Sequence, residues 1–330
     1  MPDYTVDGLL VNAKLRAFLP DSNTGGTSLT DPDILVLAND ELWGAMTPKI
    51  QKAVQEYFIQ EFLFTLTPGL DVYDLPYRAT GGALRDVYIL TGPDPYTRQR
   101  LIRISPEQIQ AGVTSGQQAT SGGPTSFWVQ ANQILLYPHV QQAWTLVLSV
   151  FMRPNAMTPL DPMGGVSDPL AIPILSVNYG TGVVTVDGTV PATFDTTIKY
   201  DFIRAQPGFD TIGFDFPCSN ISASDMTFGT ALMSAIQPRL AVGDYVAVAQ
   251  YAPVPQIPQT LHPLLSARVA MRIARAIGDK ENAAVLAQDI ADMEEPMYQM
   301  LVNRVEGKQD ILTPNDLIGW TRPRFWTGPF

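Results

Sequence analysis

The hydrophobic period of this chain changes twice, and that pattern limits its possible folds more than any single motif. Up to about Phe58 the apolar residues recur at helical spacing, from Phe62 they alternate with period two, and from Gln259 helical spacing returns. Each helical end looks incomplete without the other. The simplest topology is therefore one domain built from both ends, with a β-rich insertion between a strand and a helix.

The first stretch, "VDGLLVNAKLRAFL", puts Leu9, Leu10, Ala13 and Ala17 on one stripe and leaves Lys14 and Arg16 off it. "PDSNTGGTSLTDPD" reads as a loop from its Gly, Ser, Thr and Pro content. Asp31 and Pro32 then supply a cap and a first-turn proline for an amphipathic helix through Ile34, Leu37, Ala38, Glu41, Leu42 and Ala45. Thr47 and Pro48 repeat the device and open a helix whose face carries Ile50, Val54, Tyr57 and Phe58. Together these segments predict a small helical bundle.

"FLFTLTPGLDVYDLP" predicts a hairpin around Pro68 and Gly69, and "ALRDVYIL", "RQRLIRI", "TSFWVQANQILLYP" and "WTLVLSVFMRP" predict further strands. The expected unit is a four- or five-stranded antiparallel sheet, with "PEQIQAG" as a short helix. From Leu160 to Pro258 the chain is rich in Gly, Thr, Val and Asp, alternates between glycine turns, and ends in a closing strand within "LAVGDYVAVAQYAP". An inserted all-β domain, sandwich or small barrel, is the reading. Two helices follow, joined at Gly278 and Asp279, the second bent at Pro296. The predicted class is α+β, divided into 1–159 (helical start and antiparallel sheet), 160–258 (β-insert), 259–307 (two long helices completing the core) and 308–330 (C-terminal tail).

Charge narrows the function classes. The net charge is −11, and the insert is the most acidic part, with nine Asp against Lys199, Arg204 and Arg239. A protein that grips phosphate backbones needs a basic footprint, so tight nucleic-acid binding is disfavoured. One cysteine, Cys218, excludes an internal disulfide and any multi-thiolate metal site, and a buried inert thiol is expected there. No apolar run is long enough to span a bilayer, and "MPDYTVDGLL" has acids where a signal peptide would be basic, which points to synthesis in the cytoplasm.

Catalytic and cofactor motifs give weak signals. His139 and His262 both adjoin proline and have no second ligand at metal spacing, so both read as structural. Gly-x-Ser-x-Gly does not occur, and Gly180 and Gly182 in "YGTGVVTVDG" lack the third glycine and the helix of a dinucleotide fingerprint, leaving a β-turn. Asp187 and Asp201 could form a glycosidase pair in principle but read as turn aspartates, and "NIS" at Asn220 matters only in a secretory compartment. No catalytic residue, metal or cofactor is expected.

Two features point to partners. Arg268, Arg272 and Arg275 form a basic stripe on one helix, read either as a solvated face or as a surface for acids. Trp320, Arg322, Arg324, Phe325, Trp326 and Phe330 crowd the tail with the side-chain types that dominate interfaces. A tail too short for its own core must bury those rings on its own domain or on another subunit.

"DPDILVLANDEL", "KIQKAVQEYF", "YDLPYRATGGALRDVYIL" and the distant "LHPLLSARVAMRIARAIGD" followed by "LVNRVEG" together resemble the head-to-tail adaptor proteins of tailed bacteriophages, also called connector, neck or head-completion proteins. The resemblance covers Ile34 to Leu90 and Leu261 to Gly307, and leaves out the insert and the last residues. It implies a non-enzymatic virion protein of the neck, between capsid and tail. The implied assembly is a homo-oligomeric ring, commonly dodecameric, under the portal protein, with tail, stopper or nozzle proteins on its other side. Genome DNA would pass through the lumen without specific binding, and no membrane is involved. In that setting the tail residues Trp320 to Phe330 would dock the portal. Arg78 and Arg85, beside a corner made flexible by Gly81 and Gly82, and the α-helical stripe of Arg268, Arg272 and Arg275 would pair with acids of the bundle or of the next subunit. Internal bracing by Arg78 and Arg85 is the other reading. Two further function classes remain: a tail or baseplate module whose insert stacks host glycan on Tyr179, Phe194, Tyr200 or Phe209, and a hydrolase built on the acids of the insert.

Overall fold

The structure, a computed structural model, describes residues 4–19, 29–54, 57–92, 97–107, 123–160, 169–205 and 208–301. It is mixed α+β, with antiparallel sheets and a closed six-stranded barrel. The short helix expected in "PEQIQAG" lies largely outside the described residues, and the tail 308–330 lies wholly outside them.

The chain opens with α1 (Val6–Arg16), which buries Leu9, Leu10, Ala13 and Ala17 as its spacing predicts. Helix α2 (Asp31–Glu41) is capped by Thr30 rather than Asp31. The Asp33 carboxylate receives the Thr30 N–H at 2.9 Å and its hydroxyl at 2.6 Å, while Asp31 turns to Lys14 at 2.5 Å. The expected helix does begin at Thr47, with Pro48 in its first turn, but no break precedes it and it ends at Ala53. A π-helical turn, Leu42–Met46, carries α2 directly into α3 (Thr47–Ala53), and the Thr47 hydroxyl donates to the Leu42 carbonyl at 2.7 Å. A wider turn admits Pro48 without ending the helix, because the missing N–H falls where the hydrogen-bond ladder is already irregular.

Eight strands follow: β1 (Ile59–Thr65), β2 (Val72–Asp74), β3 (Ala79–Leu90), β4 (Arg98–Arg100), β5 (Ile102–Arg103), β6 (Ser126–Gln130), β7 (Gln133–Tyr137) and β8 (Thr145–Met152). They form two four-stranded sheets, β1-β8-β3-β4 and β2-β7-β6-β5, around a shared core of Leu66, Ile89, Ile134, Leu146 and their neighbours. The expected hairpin at Pro68 and Gly69 does not form. Leu66 N–H bonds Trp144 O, Gly69 N–H bonds Val140 O, and the turn moves the chain from one sheet to the other. "RQRLIRI" does the same at Leu101, giving β4 to one sheet and β5, parallel to β6, to the other. The corner expected at Gly81 and Gly82 is instead part of β3, with a register shift against β8 between Ala79 and Leu84.

A short strand β9 (Ala156–Met157) leads into the insert. Its barrel strands are β10 (Ala171–Asn178), β11 (Val183–Val186), β12 (Lys199–Ile203), β13 (Thr211–Ile221), β14 (Asp225–Phe228) and β15 (Tyr245–Val248), closed in the order β10-β11-β14-β13-β12-β15. A one-and-a-half-turn helix, α4 (Thr230–Ala235), lies between β14 and β15. Closure removes both sheet edges, and the interior is filled by Tyr200, Phe202, Phe216 and Phe228 in edge-to-face contact. The chain leaves through β16 (Tyr251–Ala252), which pairs in parallel with β9.

Helix α5 (His262–Ile277) ends at Gly278 in the left-handed conformation, and Asp279 caps α6 (Lys280–Leu301) by accepting the Asn282 N–H at 3.1 Å. Helices α1, α2, α3, α5 and α6 share one apolar cluster with Phe58, Met157 and Ile257, so the two ends of the chain do form one core.

Candidate functional site

The most concentrated polar chemistry lies where sheets, insert and helices meet. Arg78, just before β3, is buried and its guanidinium is fully engaged. It makes a two-pronged pair with Asp201 of β12, 2.8 Å on each side. The same group donates to Asp215 of β13 at 2.9 Å, to Asn155 at 3.1 Å and to the Tyr77 hydroxyl at 3.0 Å, and lies 5.2 Å above the Phe214 ring. Burial works against its charge, but the two carboxylates prevail and its pKa is raised.

Asp201 is completely buried and satisfied. Besides Arg78 it accepts the Asn155 amide at 2.9 Å and the backbone N–H groups of Asp215 and Gln250 at 3.0 Å each. Asp215 and Gln250 hold positive φ, 57° and 75°, which is how their N–H groups turn towards the carboxylate. Tyr77 donates to Asp215 at 2.5 Å, and burial, followed by that bond, pushes its phenol up to about 12. Within this chain Arg78 therefore braces sheet against barrel and meets no acid of the helices.

The helices hold the same junction from the other side. Asn39 of α2 bonds both the N–H and the carbonyl of Met157, and the Trp43 indole donates to Pro154 O at 3.0 Å while the Arg153 guanidinium sits 4.6 Å over its ring. Asp7 of α1 accepts the Leu160 N–H at 3.0 Å. His262 at the start of α5 is wedged between the rings of Tyr4 and Phe209. Burial lowers its pKa to about 4, against carbonyls of Ile257 and Pro255 that favour the proton, so the imidazole is neutral at physiological pH.

A second ionic cluster ties the helices together. Glu41, buried on α2, accepts from Arg268 at 3.2 Å and from Arg272 at 2.5 Å, and Arg268 also donates to Glu294 of α6 at 2.7 Å. Lys49 of α3 bonds the same Glu294. Glu294 is lowered despite burial, because the Lys49 and Arg268 bonds outweigh desolvation. Of the basic stripe, Arg268 and Arg272 thus face acids of neighbouring helices, and Arg275 is exposed beyond them. Arg85 is half exposed and leans on Asp86 at 3.6 Å.

The remaining sequence candidates separate cleanly. Phe194, Tyr200 and Phe209 are core residues, and half-buried Tyr179 donates to Leu240 O at 2.6 Å, so these rings are not displayed for stacking on sugar. Asp187 is an exposed turn residue and Asp201 is the Arg78 partner. Cys218 is buried and its pKa is raised by burial. His139 is exposed and pairs with Asp71. Trp320, Arg322, Arg324, Phe325, Trp326 and Phe330 lie outside the described residues. Among the described residues no group of three or more His, Cys, Asp or Glu is placed to hold a metal, and no helix is long and apolar enough to cross a membrane.

Sequence reasoning did not single out Asp215, Asn155, Trp43 or Glu294. Glu41 carried a signal that went unused: an acid between Ala38 and Leu42 on an apolar stripe must find a cation once the stripe is buried. No protein-family model matches the chain, and no curated protein matches it either.

Proposed function

We propose that the protein is a structural subunit of the bacteriophage neck, joining in a ring between portal and tail that extends the DNA channel. The observation that carries this reading is the union of three parts through buried contacts. Helices from both ends of the chain share one core, the paired sheets share another, and the barrel is fixed to the sheets through the buried Arg78 and Asp201 pair and to the helices through Phe209 against His262. The segments that resemble adaptor proteins supply the helical core, which in this reading is the adaptor bundle. A ring subunit needs rigid faces so that successive contacts repeat at a constant angle and close.

In this reading the role is mechanical and not enzymatic, with the portal on one side, tail, stopper or nozzle proteins on the other, and the virion neck as its place. DNA moves through a lumen without being held, which suits a chain of net charge −11. The tail after Gly307 is the portal-docking element.

The test is co-sedimentation of the full chain, and of a chain ending at Gly307, with DNA-filled tailless capsids. Saturable binding at a ring's number of copies, lost on truncation, supports the adaptor and its docking tail. Binding that survives truncation moves the portal contact to the helices. Absence of binding, with the protein found only in tails of intact virions, overturns the neck assignment in favour of a tail or baseplate module.

A further inference from the structure

Two exposed surfaces of this chain have opposite charge. The first is a groove of about 770 Å³ on the paired sheets. Its floor is apolar, with Val87, Leu101 and Phe127, and its described rim carries Arg85, Arg100 and Arg103 against the single carboxylate of Asp86. Arg100 pairs with Asp86 at 2.5 Å yet remains 70 % exposed, Arg103 is exposed, and Ile102 between them is 65 % exposed. This is an arginine-rich patch on an otherwise acidic protein.

The second surface is the outer face of α6. Glu281, Val285, Asp289, Asp292 and Glu295 follow one another at intervals of three or four residues and so share one face. All five are exposed, Val285 by 60 %. The opposite face carries Ala283, Leu286 and Ile290 into the helical core, so the acidic stripe has no part in the fold of its own domain. Lys280 is the one basic residue of the helix.

We infer that the acidic face of α6 in one copy docks into the arginine-rimmed groove of a second copy, with Val285 over the apolar floor and the carboxylates among the guanidinium groups. Charge complementarity selects the occupant. The groove needs an apolar residue ringed by acids, and the chain displays that arrangement on a different part of its own surface. Because α6 belongs to the helical core and the groove to the paired sheets, the contact joins two different surfaces, so that each copy can give a helix to one neighbour and receive one from another. Such contacts close into a ring or continue as a filament. The inference rests on the ring reading above and names the contact that would make it.

Sedimentation of the full chain at low and high salt tests it, with two variants that keep the same backbone. One is Arg100→Glu with Arg103→Glu; the other is Asp289→Lys with Asp292→Lys. The wild type is expected to associate at low salt and to disperse at high salt, since exposed charges are screened. Each variant alone should associate at least tenfold more weakly, because the first sets an acidic groove against the acidic helix and the second leaves the helix face without net charge. An equal mixture should associate again, since the unaltered acidic helix face of the first variant meets the unaltered groove of the second. A second measurement uses Arg103→Cys and Asp292→Cys in separate copies, which should form a mixed disulfide dimer under mild oxidation, Cys218 being buried.

A wild type that stays monomeric at low salt overturns the inference, as does a mixture that fails to restore association or a cysteine pair that does not cross-link. Assemblies built by this contact that ignore tailless capsids would end the neck reading and leave the contact standing. Capsid binding by chains joined through another surface would do the reverse.

Discussion

Arg78 shows how a residue's surroundings set its effect. Replacing it with alanine would leave the Asp201 carboxyl group completely buried without its cation, and removing one partner of a buried pair costs about 3–5 kcal/mol. We expect Arg78→Ala to lower stability by that amount in chemical denaturation, and Arg78→Ala with Asp201→Asn to lose less. Independent, additive effects of the two substitutions would show that the pair is not coupled. His262 gives the pH counterpart. Its folded pKa, about 4, lies below the unfolded value near 6.5, so between these values the unfolded chain binds the extra proton and stability falls as pH falls. The loss begins near pH 6.5 and is complete near pH 4, on the order of 3 kcal/mol. His262→Gln should flatten this part of the stability profile, and an unchanged slope would argue against a buried neutral imidazole. The sequence marked both residues, one by the density of its setting and one as structural, but their partners lie far along the chain and no local pattern names them.

At the scale of elements, local chemistry was legible where a terminus or turn is made by its own residues. Gly278 ends α5 with φ 84° and has open space where a Cβ would sit, whereas Gly182 has φ 73° and would bring its Cβ to 2.2 Å from the Phe228 carbonyl oxygen. Gly278→Ala should therefore cost only the left-handed strain, about 1 kcal/mol, and Gly182→Ala roughly 3 kcal/mol, because a neighbouring strand must also move. Melting curves of the two variants measure the difference, and equal shifts would place the barrel turn elsewhere. Pairing was not legible. Pro68 with Gly69 has the composition of a hairpin turn, but that composition fixes the bend and not which strand the chain joins after it. The bend leads into a second sheet because Leu75, Ile134 and Leu146 then close one core between the layers. Thr47 with Pro48 has the composition of a helix start, yet α2 and α3 remain continuous because Leu42, Met46 and Ile50 are all buried against α5 and α6.

The whole molecule depends on its joints. A barrel with its own apolar interior could unfold by itself, but it is tied to the sheets through Arg78 and Phe214 and to the helices through Phe209. Calorimetry of the wild type should show one transition, and Arg78→Ala should split off a separate barrel transition at lower temperature. Two transitions in the wild type would mean that the joint does not couple the parts. The joint also changes what the acidic insert means. Asp201 and Asp215 serve Arg78, Asp210 faces Arg204 and Arg239, and buried Asp244, its pKa raised by burial, accepts the N–H groups of Ala205 and Ala241. Asp201 and Asp244 are buried, so part of that charge is spent inside the molecule, and the acidic surface of interest lies on α6.

Sequence alone determined the class of each region, because hydrophobic period and capping residues act over a few positions: helical ends, a β-rich middle, a break at Gly278 and a glycine-punctuated insert. Tertiary structure decided the partners, including two sheets in place of one, closure of the barrel, and the choice of Asp201 for Arg78 across 123 residues. An alternating strand or a lone arginine fits many partners equally well by itself. Only the joint requirement to fill every core and neutralise every buried charge selects one.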